Sequence, residues 1–135
     1  MIVGGEAVIY YGHARLTGDV DFFFESTHDN VLRLHDALNE FWAGDIPGVK
    51  SAQELMELGI VLQFGVPPNR IDLLSRIDGV SFEEAWGGKT EVTIEISGEP
   101  VVIYFIGLKQ LIQNKETIGR AKDLEDLKYL IKAMG

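Results

Sequence analysis

In the stretch Gly18-Asp19-Val20-Asp21-Phe22-Phe23-Phe24, two carboxylates stand at the mouth of three consecutive phenylalanines. A run so rich in Val and Phe reads as a strand, from Asp19 to Glu25. Side chains on a strand alternate between its faces, so Asp19 and Asp21 project to one side and Val20 to the other. Two like charges held together beside aromatic rings repel one another and lose hydration. A fold that keeps this strand must therefore place the pair where a cation can balance it.

A third carboxylate interrupts a second apolar run, in Asn69-Arg70-Ile71-Asp72-Leu73-Leu74. If the two strands are neighbours, Asp19, Asp21 and Asp72 converge. Oxygen ligands of this kind suit a hard ion such as Mg²⁺, which takes one or two carboxylates and completes its shell with water and substrate phosphates. Three carboxylates can bridge two ions about 3.5–4 Å apart, the arrangement used for in-line displacement at phosphorus. Upstream, Gly4-Gly5 stands between a strand end at Met1-Ile2-Val3 and a short helix expected from Glu6 to Gly12. Glycines in that position let backbone N–H groups approach a phosphate. Taken singly, Asp-x-Asp is common at exposed strand ends, and Gly-Gly is the mark of an ordinary tight turn. Only the combination is specific.

Composition narrows the alternatives. The 135 residues, 46% hydrophobic, suit one compact domain spanning 1–135. With no cysteine, neither a disulfide framework nor a thiolate metal site or nucleophile is available. A net charge of -9 disfavours broad electrostatic capture of nucleic acid. No apolar run reaches the ~18 residues of a membrane span, and the start lacks a signal-peptide layout, so no membrane partner and a cytoplasmic location are expected.

The remaining pattern predicts an α+β (α/β) domain, a mixed sheet of about four or five strands flanked by helices. Thr27 or Asp29 caps a helix whose core face is Val31, Leu34, Leu38 and Phe41. Strands near Ile60–Phe64 and Ile71–Ser75 form a hairpin around Pro67-Pro68-Asn69. Ser81 and Glu84 make a capping box for a short helix through Trp86. Val92, Ile94 and Ile96 alternate with Glu91, Thr93 and Glu95 as in a strand with one wet face, and Glu99 to Gly107 supplies a more buried strand. Helices follow near Leu108–Lys115 and Lys122–Met134, the latter with Leu124, Leu127, Ile131 and Met134 on one face. His13, His28 and His35 are not spaced as a metal set, and Trp42 and Trp86 read as core or cleft wall.

Gly4-Gly5, Asp19-Val20-Asp21 and Asp72 together resemble the DNA polymerase beta-like nucleotidyltransferase superfamily. Its pattern is a Gly followed by Gly or Ser, then Asp-x-Asp on a strand, then an acidic residue on a later strand. "ARLTGDVD" is similar to the Arg-x-Thr-x-Asp-x-Asp form of small bacterial members. "LKQLIQNKETIGRAKDLEDLKYL" is similar to the closing segment of the AbiEii-like and minimal nucleotidyltransferases, with Ala121 in place of the usual Pro.

The resemblance implies the nucleotidyltransferase fold without its usual N-terminal helix, and a sheet edge completed another way, such as by a second copy in a homodimer. It implies an enzyme that moves a nucleoside monophosphate from a nucleoside triphosphate to an acceptor hydroxyl with Mg²⁺ or Mn²⁺. Asp19, Asp21 and Asp72 would be catalytic and metal-holding, and Gly4 and Gly5 would meet the phosphates. Lys115 and Lys122 would reach the phosphates or the carboxylates, or else lie on a solvated helix face. Arg15 and Thr17 would shape the loop before Asp19, and Asp123 and Asp126 would charge the start of the last helix. Gly5 replaces the Ser of many members and so removes one hydroxyl. The acceptor would be a protein side chain, an RNA end such as that of tRNA, or a small molecule. The competing expectation is a catalytically silent nucleotide- or metal-binding regulatory module of toxin–antitoxin type.

Overall fold

The Asp-bearing strand lies at the centre of a mixed sheet. In the computed structural model, which describes residues 1–57 and 59–135, the elements run β1 (Ile2–Val3), α1 (Gly4–Tyr10), β2 (Asp19–Phe23), α2 (His28–Phe41) and a 3₁₀ turn (Ala52–Met56). There follow β3 (Val61–Phe64), β4 (Arg70–Leu74), α3 (Phe82–Gly87), β5 (Thr90–Ile96), β6 (Glu99–Phe105), α4 (Leu108–Ile118) and α5 (Ala121–Ala133). Among the described residues the sheet has six strands, ordered β3-β4-β2-β1-β6-β5. The expected four or five fell short because β1, only two residues long, still pairs on both sides. Its Ile2 faces Phe22 of β2 and Phe105 of β6.

Alternation along β2 feeds two cores. Phe23 enters a cluster with Val3, Ala7, Val8, Leu111 and Leu130, contributed by β1, α1, α4 and α5. Phe22 packs with Phe24, Val31, Leu38, Phe64 and Leu73 beneath α2 and the 3₁₀ turn. Burying a phenylalanine in this way is worth about 1.5–3 kcal/mol. Helix α2 begins as the sequence requires, with the Thr27 hydroxyl accepting from the Asn30 N–H, and Ser81 with Glu84 closes the capping box of α3. The β3–β4 hairpin is also as expected.

Helix α1 starts two residues earlier than expected and takes Gly4 and Gly5 into its first turn. Phe41 was assigned to the core face of α2 but is 68% exposed, lying edge-on against Trp42. Strand β6 is not a buried strand. It joins the sheet only at Phe105 and otherwise stands out with β5 as a hairpin, leaving Val102, Ile94 and Ile96 exposed. Helix α5 shows the largest departure. Leu124, Ile131 and Met134 face outward, and the buried face is Asp123, Asp126, Leu127 and Leu130. Apolar spacing misplaced that face because two of its four members are carboxylates.

Candidate functional site: a carboxylate cluster at the end of the sheet

Strands β2 and β4 run parallel, with Asp19 opposite Arg70 and Asp21 opposite Asp72. All four side chains therefore stand on one face of the sheet, at the end not covered by Phe23 and its core. One carboxylate oxygen from each of Asp19, Asp21 and Asp72 lies within 4.8 Å of the others. The convergence expected from the sequence is thus a matter of register.

The first turn of α1 closes over this cluster. Gly4 adopts φ +66, and a Cβ there would overlap the Asp21 carboxylate. A Cβ on Gly5 would crowd the Thr17 hydroxyl at 2.7 Å. Both glycines are therefore required for backbone and carboxylates to approach so closely, and Thr17 fills the space a Gly5 side chain would take. Thr17 Oγ1 in turn donates to the Asp19 backbone carbonyl and side chain, each at 3.2 Å.

Electrostatics separate the three aspartates. Arg70 donates through Nη2 to Asp19 Oδ2 at 2.6 Å, and through Nε and Nη2 to the two Asp72 oxygens at 2.9 and 3.0 Å. Burial would raise the Asp19 pKa, but hydrogen bonds from Arg70 and Thr17 outweigh it and hold the group below its ordinary value. Asp21 has no such partner. Burial first, and then repulsion from Asp19 and Asp72, push its pKa up to about 7. Its Oδ1 is buried without a hydrogen-bond donor. A buried carboxylate oxygen without a donor, on a residue whose carboxylate clusters with two others, is what a divalent cation would satisfy, so this donor set fits Mg²⁺ or Mn²⁺.

A cleft of about 670 Å³ opens from the cluster. Gly4, Gly5 and the aspartates lie on one side, and Asn114, Lys115, Arg120 and Lys122 of α4 and the start of α5 lie on the other. Lys122 is exposed at this rim. Lys115 is not on a solvated helix face. It is buried, and its Nζ contacts Asp123 at 3.0 Å and Asp126 at 3.1 Å. Arg15 forks onto Asp126 through Nε and Nη2 at 2.8 and 3.0 Å, so it ties the loop before β2 to α5 and does not hold Asp19 directly. Asp123 accepts from the Arg120 N–H at 3.1 Å and from its side chain, and His13 approaches Asp126 at 3.2 Å while stacking on Tyr129. Burial would raise the pKa of Asp123, yet Arg120 and Lys115 bring it down to about 2. Asp126 is lowered by Arg15 and Lys115 against the same burial.

The sequence reading missed Arg70. The signal was present, since a residue two before Asp72 on a strand must share its face. Gln63 was missed likewise. It faces Asp72 across the β3–β4 pair, with Nε2 3.5 Å from Oδ2.

Comparison of the chain with models of known protein families, with curated proteins and with solved structures finds no significant match. Among the described residues, no helix is long and apolar enough to cross a membrane.

Proposed function

We propose that the chain is a metal-dependent nucleotidyltransferase of the polymerase beta-like type, moving a nucleoside monophosphate from a nucleoside triphosphate to an acceptor hydroxyl. The observation that carries this reading is the Asp19, Asp21 and Asp72 cluster beside the glycine turn of α1, with one buried oxygen unpartnered. The order of Gly-Gly, Asp-x-Asp and a third Asp on the adjacent parallel strand supports the corresponding fold.

Asp19, Asp21 and Asp72 would hold Mg²⁺ or Mn²⁺, which supplies charge neutralisation for the triphosphate and for the developing negative charge. Gly4 and Gly5 line the cleft, where their N–H groups would meet phosphate, and Lys122 would add a positive charge at its rim. In the transfer, the acceptor oxygen bonds to the α-phosphorus. The bond from that phosphorus to the bridging oxygen breaks, and pyrophosphate departs. The hydroxyl proton passes to the Asp72 carboxylate, which faces the cleft. Lys115 serves this site by holding α5 and the Arg15 loop against it. The acceptor we favour is a protein side chain or a small molecule, because a net charge of -9 opposes a long RNA.

One observation favours the silent regulatory module. Arg70 already neutralises Asp19 and Asp72, and a fixed guanidinium could stand permanently in place of a metal. Incubation with labelled triphosphates, Mn²⁺ and a cell extract decides between them. Label transfer that falls at least about 100-fold in Asp21→Asn is the expected result, in line with loss of an electrostatic group essential to the transition state. Nucleotide binding without transfer establishes the module, and a chain that binds neither nucleotide nor metal and transfers no label ends both readings.

A further inference from the structure

We propose that Arg70 is a resident counter-ion of the carboxylate cluster, displaced when a divalent cation enters, and that this exchange sets the chain's metal affinity. The inference rests on the metal-site reading given above.

Arg70 engages three of the cluster's six carboxylate oxygens. It bonds both oxygens of Asp72 and one of Asp19, while Thr17 takes the other Asp19 oxygen. Only Asp21 is left with a free, buried oxygen. A cation that draws one oxygen from each aspartate therefore meets, on Asp72, an oxygen already hydrogen-bonded to the guanidinium and competes with it. It must also do so against the repulsion of that positive charge, which sits among the same ligands. The register makes the competition unavoidable, because Arg70 is directly opposite Asp19 and on the same face as Asp72. The guanidinium has somewhere to go, for its side chain is 29% exposed and lines the open cleft. Three carboxylates would repel one another with no cation at all. Arg70 thus lets the strand pair form before a metal arrives and withdraws part of the binding free energy when it does.

Titration calorimetry with Mn²⁺ alone, on the full chain, tests the exchange without reference to catalysis. Arg70→Gln is expected to bind Mn²⁺ about tenfold more tightly than the wild type, the scale of removing one positive charge a few ångströms from a divalent ion in a water-exposed site. Arg70→Lys keeps the charge but loses the fork, so it should fall between the two. Without metal, Arg70→Gln should melt below the wild type and regain the difference on adding Mn²⁺. Equal or weaker Mn²⁺ binding by Arg70→Gln overturns the inference and leaves the metal site standing. If Arg70→Gln does not fold without metal, Arg70→Lys carries the same test, and unchanged affinity there overturns it. Binding that survives Asp21→Asn in the wild-type and Arg70→Gln backgrounds removes the metal site itself, and the inference with it.

Discussion

Two groups of aspartates, one lining the cleft and one buried behind its Lys115 and Arg15, have opposite electrostatic character. Asp123 and Asp126 meet Lys115, Arg15 and Arg120, so two carboxylates face three permanent cations. Among the described residues, Asp19 and Asp72 pair with Arg70 and Asp21 pairs with no cation. The first group is almost wholly buried and holds its charge firmly, with Asp123 down at about 2. The second is more open, yet it holds the one carboxylate pushed up to about 7. Burial therefore does not separate the two groups as the supply of donors does. The balanced group holds α4, α5 and the Arg15 loop together, and the deficient group keeps a buried oxygen without a donor.

The largest break in this contrast is expected from Lys115→Met. It removes the ammonium shared by two buried carboxylates and should cost about 3–5 kcal/mol in chemical denaturation. A loss under about 1 kcal/mol would mean that Arg15 and Arg120 suffice alone.

A second test uses pH. In the folded chain Asp21 keeps its proton up to about 7, against an ordinary value of 3.8. The folded state is then the better proton binder between those values, so metal-free stability falls as pH rises across the window and levels off above it. Asp21→Asn lacks this penalty, and its advantage in melting temperature should open from pH about 4 to about 7. Asp123 behaves inversely, its contribution being present above 3.8 and lost as pH falls towards about 2. Parallel curves for Asp21→Asn and wild type would show that Asp21 is not the strained member.

The smallest effect is expected from His13→Ala. It deletes one ring stack on Tyr129 and one contact to an Asp126 that Arg15 and Lys115 still satisfy, for about 1 kcal/mol in the same denaturation experiment. A loss approaching that of Lys115→Met would place His13 among the groups on which the cluster depends.

Much of the site could be read from the sequence because strand geometry is simple. Two residues apart on a strand means one face, and Asp19, Asp21 and Asp72 followed from that rule and from the guess that their strands are neighbours. Arg70, two residues before Asp72 on β4, follows from the same rule. Helix ends with side-chain caps, at Thr27 and Ser81, were equally legible. The inward face of α5 was not, since a buried Asp123 and Asp126 look like solvated residues until Lys115, eight and eleven positions earlier, is known to reach them. Strand β6 misled for the opposite reason. Its Val and Ile promised burial, but nothing covers the outer half of the β5–β6 hairpin.

The parallel pairing of β2 with β4 carries a kinetic consequence. Asp19 and Arg70, neighbours in space, lie 51 residues apart in the chain. Contacts of such separation are costly in loop closure and tend to form late. Assembly of the carboxylate cluster should therefore be among the last events of folding, and the moment at which Asp19 meets Arg70 during refolding would time completion of the central sheet.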